Sequence, residues 1–397
     1  MLNERLERLG EFPFRRLAAR LAAAGPARAE PVLDLALGEP QHRPPALLAE
    51  TVAAHAHLWN RYPPVDGTPA FRRAAVAWLA RRNGLPDGAL DPDRHLLPLA
   101  GTKEGLYMLA ALATGAERAG RRPAVLMPNP VYAVYYGAAV MAGAEPVPLP
   151  ATAAAGFLPD LDALAPDLLD RTTLFYLCSP ANPQGAAADL PYLQRLIGLA
   201  RRHGFLLALD ECYAELWSTA PPPGGLQAAW GLDRSFRNLV VLQSLSKRSN
   251  AAGLRSGFVA GDPDVLGRFL RLRAYAAPVQ PLPLMAAATA LWQDEAHVDA
   301  NRALYRAKFD LAEQRLGNRF GFYRPDGGFF LWLDVGDGEA AAVRLWQEAG
   351  LKVLPGLYLG APGPDGSNPG APFIRLAMVH EQAVIAAALD RLVEVLG

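Results

Sequence analysis

Between Leu239 and Ala260 the chain reads LVVLQSLSKRSNAAGLRSGFVA, the densest concentration of reactive residue types in the sequence. Two hydroxyls and an amine stand as Ser244-x-Ser246-Lys247, and Gly253-x-Arg255-x-Gly257 follows. A lysine that follows a buried strand can be partly desolvated. Desolvation or a neighbouring cation lowers its pKa towards that of a nucleophilic amine. The hydroxyls and Arg255 suit a phosphate, because arginine offers a forked set of donors. A reactive amine beside a phosphate site is what covalently held pyridoxal phosphate requires. The plain alternative is a basic surface loop between two strands. Ser-x-Ser-Lys alone favours that alternative; with Gly-x-Arg-x-Gly at this spacing it points to the cofactor site.

The elements that must position these groups are legible as apolar runs. Leu239–Leu242 and Phe258–Ala260 read as strands, as do Leu33–Leu37, His95–Leu99, Ala124–Met127, Leu174–Cys178 and Phe205–Leu209. Helix-like segments lie at Pro45–Leu58, Pro69–Arg82, from Gly101 to about Ala113, and near Leu190–Arg202. Such alternation implies parallel βαβ units with ligands at the carboxyl ends of the strands. Other candidate groups fall at those ends. Gly38 opens a turn that lets backbone approach a ligand. Gly101-Thr102-Lys103 enters a helix, with Thr102 expected as N-cap, and forms an anion cradle or an ordinary βα turn. Tyr132 follows a strand and reads as a ring-stacking or core aromatic. Asp210 ends a buried run, where a carboxylate is costly unless paired or capping a helix. Beyond a proline-broken loop (Ala276–Pro283), a long helical region from Leu284 to about Leu316 leads to a second, smaller domain. That domain is expected to hold strands Phe329–Val335, Leu351–Leu354 and Phe373–Met378 and a helix at Ala340–Glu348. Arg375 lies inside the last strand, and an arginine there wants an anion.

Composition narrows the function classes. The 397 residues suffice for two domains and a large core. Lys+Arg and Asp+Glu each number 39, and zero net charge gives no support to a nucleic-acid or membrane-surface partner. No apolar run approaches the ~18 residues of a membrane span. The opening MLNERLERLG mixes charges where a signal peptide would be apolar. Cys178 and Cys212 each sit at the end of an apolar run, which argues against a disulfide framework. A soluble cytoplasmic enzyme with no metal site is expected.

Taken together, the motifs resemble the class I and II aminotransferases, fold-type I enzymes that use pyridoxal 5′-phosphate, over essentially the whole chain. The resemblance implies an α/β fold: a mostly parallel central sheet with helices on both faces, plus a smaller α/β domain. The parts would be an N-terminal arm with part of the small domain (1–44), a large cofactor-binding domain (45–283) and a small C-terminal domain (284–397). Lys247, Asp210 and Tyr213 form the implied catalytic set, with Lys247 carrying the cofactor. Ser244, Ser246 and Arg255 would hold its phosphate with the backbone of Gly101, Thr102 and Lys103. Tyr62 would reach the phosphate in the neighbouring subunit. Tyr132 would stack on the ring, Asp210 would pair with the ring nitrogen, and Asn182 and Tyr213 would bond its 3′-oxygen. Gly38, Asn182 and Arg375 would bind substrate, Arg375 as a clamp on the α-carboxylate. Gln184 stands where the family's S-P-x-N-P-T-G loop carries threonine. The implied partners are an amino donor, a 2-oxo acid acceptor and a second copy in a homodimer with shared sites.

A narrower resemblance is to the N-succinyl-L,L-diaminopimelate aminotransferases of lysine and cell-wall precursor synthesis. It rests on Phe12-Pro13-Phe14, Gly38-Glu39-Pro40-x-His42, Asp210-Glu211-Cys212-Tyr213 and Ser246-Lys247-Arg248-Ser249-Asn250. It rests also on Asp294-Glu295-Ala296-His297-Val298 with Asn301-Arg302, and on Asn368-Pro369-Gly370. The loops carrying His42 with Arg43 and following Tyr275 are candidates for reading a distal carboxylate. Three alternatives share the cofactor motifs: an aminotransferase for aspartate or aromatic donors, a C–S lyase, and a cofactor-binding transcription regulator. The last carries an added basic domain, for which the motifs beginning at residue 38 leave no room.

Overall fold

Seven strands form the central sheet, in the order Leu96–Leu99, Gly257–Gly261, Leu239–Ser244, Leu206–Asp210, Thr172–Cys178, Ala124–Asn129 and Glu145–Pro150. Gly257–Gly261 runs antiparallel to both its neighbours; every other pair is parallel. This is the α/β architecture expected. The computed structural model describes residues 2–25, 27, 31–276, 278–363 and 365–397. Residues 1, 26 and 28–30 of the N-terminal arm, residue 277 of the loop 276–283, and residue 364 lie outside the described residues.

Six of the seven strands are buried throughout, so their side chains divide by parity between two cores. Leu126, Phe175, Leu207, Val241 and Phe258 face helices Pro69–Asn83, Leu190–His203, Gly225–Asp233 and Leu282–Gln293. Val125, Leu174, Ala208, Val240 and Val259 face helices Thr102–Ala113, Ala133–Met141 and Pro263–Ala276. Helices therefore cover both faces. The seventh strand, Glu145–Pro150, was not expected from the sequence. Its prolines 146, 148 and 150 alternate, so all three missing N–H donors fall on the side away from Ala124–Asn129, its one partner strand among the described residues.

A third core surrounds an antiparallel sheet in the order Leu354–Pro355, Phe373–Ala377 and Phe330–Asp334. Helices Ala296–Leu316, Gly338–Ala349 and Gln382–Leu396 pack on it. Three expectations are corrected here. The run Leu33–Leu37 is a strand only at Leu33–Asp34, which pairs with Leu351–Lys352. Leu351–Leu354 is not one strand, because its two ends join different sheets. The helical region after Leu284 is two helices, broken where Asp294 adopts an extended conformation. Among the described residues no helix is long and apolar enough to cross a membrane.

Candidate active site

The carboxyl ends of the parallel strands open onto a cavity of about 600 Å³. One wall carries anion-binding groups. Ser244 caps the short helix Leu245–Arg248, its hydroxyl accepting the Ser246 amide at 3.1 Å. Arg255 lies at φ 51°, a left-handed conformation that costs a non-glycine residue energy. Gln280 holds that turn: its amide donates to the carbonyls of Leu254 (3.2 Å) and Arg255 (3.3 Å). Among the described residues Arg255 has no carboxylate within ion-pair distance; its guanidinium donates only to the Ala252 carbonyl. Thr102 and Lys103 face the same space from the first turn of their helix. The cap there is Gly101, not Thr102, so no cap side chain occupies the first-turn amides. Gly101 has φ 85°, and a Cβ would collide with the Arg255 guanidinium. Position 101 thus demands glycine twice over.

Deeper in the cavity Asp210 is 4 % exposed and receives only neutral donors. The Tyr135 phenol donates at 2.8 Å and the Cys212 amide at 3.3 Å. Burial pushes the Asp210 carboxyl above its ordinary pKa, so a cation beside it would be strongly attracted. Tyr132 packs edge-on against Tyr135, with centroids 5.4 Å apart. Tyr213 is wedged against Phe329 and Phe330.

Lys247 and Arg375 supply the remaining chemistry. The Lys247 amine donates to the Gly38 carbonyl at 2.7 Å. Burial, reinforced by Arg375 and Arg255, lowers its pKa to about 8. Gly38 is confined in turn, since a Cβ would lie 2.6 Å from the Phe330 ring. Arg375 is 3 % exposed, donates to Asn182 Oδ1 (3.0 Å) and the Ala36 carbonyl (2.8 Å), and lies 4.2 Å over the Phe330 ring. Its buried Nε has no partner, and burial lowers its pKa to about 10. A guanidinium held this way, with no carboxylate beside it among the described residues, is prepared for an anion.

The profile of the family "Aminotransferase class I and II" matches residues 30–392. The chain belongs to the class I and II aminotransferases. It is 34 % identical to a 4-dedimethylamino-4-oxo-anhydrotetracycline transaminase of Streptomyces rimosus, over 98 % of this chain and all of that protein. It is 30 % identical to an LL-diaminopimelate aminotransferase of Desulforudis audaxviator, over 99 % and 97 %. The crystal structure of an aminotransferase from Neisseria meningitidis superposes with a TM-score of 0.94 at 36 % identity, covering both chains completely. The fold is therefore fold-type I, and the enzyme is a pyridoxal 5′-phosphate-dependent transaminase.

The residues of this aminotransferase fit that cofactor. An unpaired arginine beside two serines suits its phosphate, and a buried carboxylate with only neutral partners suits its protonated ring nitrogen. Of the residues singled out in the sequence, Gly38, Thr102, Lys103, Tyr132, Asn182, Asp210, Tyr213, Ser244, Ser246, Lys247, Arg255 and Arg375 all line one cavity. Gly101 stands directly behind Arg255. Tyr62 does not join them: it is fully exposed on the turn before helix Pro69–Asn83. Among the described residues, neither His42 and Arg43 nor the loop after Tyr275 lines the cavity, although Gly38 and Glu39, shortly before His42, do. His42 is buried, 2.7 Å from the Lys308 amine and 3.3 Å from Glu381, and Gln280 turns inward to the Arg255 turn. Tyr135, the donor to Asp210, is a site residue that the sequence motifs do not single out. Its spacing of three from Tyr132, one helical turn, was the available signal.

Proposed function

We propose that this aminotransferase takes N-succinyl-L,L-diaminopimelate as amino donor and 2-oxoglutarate as acceptor. Arg375 carries the reading of an α-carboxylate substrate: a buried guanidinium without a carboxylate partner among the described residues, in the same cavity as Lys247. The diaminopimelate skeleton is supported by the relative named for it, and the succinylated form by the cluster of short motifs. Both half-reactions present an α-carboxylate to Arg375. A distal carboxylate needs a further cation, and Lys103 is the cavity-lining one left for it.

When bound, pyridoxal phosphate supplies the electron sink that lets the donor's Cα–H bond break. The chain's own residues do the rest. Lys247, as the free amine, takes the Cα proton and returns it as an acid. Asp210 would pair with the cofactor's ring nitrogen, its charge favouring the protonated form. Arg375, steadied by Asn182 and the Ala36 carbonyl, fixes the carboxylate so that the Cα–H bond points at Lys247.

The test is kcat/KM for the succinylated donor against free LL-diaminopimelate, aspartate, an aromatic amino acid and acetylornithine, with keto products identified. The succinylated donor is expected to lead, and Lys103→Ala to erase most of that lead. A rival preferred by more than tenfold, about 1.4 kcal/mol, sinks the donor assignment and leaves the transaminase intact. With a cysteine S-conjugate added to the panel, release of thiol, ammonia and pyruvate without glutamate would mark a C–S lyase.

We also propose a homodimer with shared sites, because Tyr62 is a fully exposed aromatic on a proline-rich turn. Mixing Tyr62→Ala with Lys247→Ala subunits should raise activity above either variant alone. Proven subunit exchange without such a gain would rule sharing out.

A further inference from the structure

Behind the cavity, four consecutive residues from Lys247 to Asn250 are gripped by one segment running from Leu291 to Asn301. The Asn301 amide donates to the carbonyls of Lys247 (3.1 Å) and Arg248 (3.3 Å), and its oxygen accepts from Asn250 at 2.9 Å. Arg248 is 1 % exposed. It donates to the Leu291 carbonyl (2.8 Å) and to Glu295 (2.8 Å), with Trp78 and Trp292 both near its guanidinium. Ser249 lies 2.7 Å from His297 Nε2, and His297 Nδ1 lies 2.5 Å from Asp294.

Asp294, His297 and Ser249 stand in the order that activates a serine nucleophile. Ser249, however, is 1 % exposed and does not line the cavity that holds Lys247, so no substrate carbonyl bound there can reach it. The Asp294 carboxylate accepts a hydrogen bond from the protonated Nδ1, which leaves Nε2 as an acceptor for the Ser249 hydroxyl. Asn250 needs such a hold, because it adopts a left-handed φ of 49° and leaves its buried Oδ1 without a partner.

We infer that Asn301 and the Asp294–His297–Ser249 chain are positioning residues that fix the backbone of Lys247 and so aim its amine. The grip is on main-chain carbonyls and on the residues just after the lysine. It therefore sets where the side chain starts, without touching the reacting atoms. It comes from the start of helix Ala296–Leu316, whose far end packs in the small-sheet core through Phe309, Ala312 and Leu316. The backbone of the lysine is thus gripped by a helix whose other end is seated in the small-sheet core. The charged and titratable groups that face its amine are Cys212, Arg375, Glu39, Arg255 and Asp210. A displaced amine leaves their field and its buried spot, and gains water.

This rests on Lys247 being the reactive lysine, which reductive labelling of the wild type establishes first. Asn301→Ala, Ser249→Ala and Ser249→Thr are then compared as holoenzymes. Asn301→Ala is expected to lower kcat about tenfold or more while KM for the donor changes less than about threefold. The acid limb of its pH–rate profile should move up by about half a unit or more, towards an ordinary lysine. Ser249→Ala should do the same to a smaller extent, and Ser249→Thr, which keeps the hydroxyl, should recover most of the loss. Folded, cofactor-loaded alanine variants that keep the wild-type kcat and profile overturn the inference. So does a lowered kcat with an unmoved profile. If Asn301→Ala does not fold, the Ser249 pair decides by the same criteria. Labelling at another lysine would instead overturn the reading of Lys247 itself.

Discussion

Replacing Lys247 with alanine should lower transamination by at least about 10⁴-fold, because one amine serves both as the covalent anchor and as the proton carrier. No other lysine can substitute. The sequence has four: Lys103, Lys247, Lys308 and Lys352. Lys308 is buried against His42 and the Met378 carbonyl, and Lys352 is paired with Asp34. Lys103 faces the cavity, but it rises from the phosphate-binding turn. Borohydride reduction of the wild type followed by peptide mapping should therefore place the pyridoxyl label on Lys247. A label on Lys103 would sink the assignment. The sign of the pH dependence follows from burial, which favours the uncharged amine. Below about 8 the amine is protonated and has no lone pair, so activity governed by it rises with pH through about 8 and then levels off.

The second large effect is expected at Asp210. Asp210→Ala should lower turnover about 10³-fold while the cofactor still attaches to Lys247. A unit charge pair about 4 Å apart is worth about 4 kcal/mol at the effective dielectric of a protein site, close to three decades in rate. Asp210→Asn separates charge from shape: its Oδ1 still accepts the Cys212 amide, the Tyr135 phenol must turn to accept from its NH2, and the negative charge is lost. Near-wild-type turnover in the asparagine variant would refute the electrostatic role. Reduction and mapping of both variants checks that the covalent step survives.

Much of this site was legible because its groups mark themselves locally. Asp210 ends a run of buried apolar residues, and Arg375 interrupts another; each is expensive where it stands without a partner. Ser244, Lys247 and Arg255 lie within twelve positions, so their meeting needed no knowledge of the fold. What the sequence hid depends on distant contacts. Tyr135 meets Asp210 across 75 positions, and Asn301 meets Lys247 across 54. Neither pairing leaves a periodicity. Leu33–Leu37 is a strand only at its start because the main chain of Leu35 divides its bonds between Lys352 and Ala377, the Ala36 carbonyl accepts from Arg375, and Leu37 lines the cavity. Glu145–Pro150 was missed because its prolines argue against a strand until one knows that it has a single neighbour.

That proline-bearing strand also bears on assembly. A sheet margin with free main-chain donors is a template on which another chain can add its own strand. At positions 146, 148 and 150 the outward donors do not exist, so a visiting strand would find acceptors alone. The central sheet cannot be extended across that margin into a second molecule, nor serve there as a seed for fibrils. Two copies that associate must therefore meet elsewhere than along Glu145–Pro150, which leaves the strand order at that margin intact.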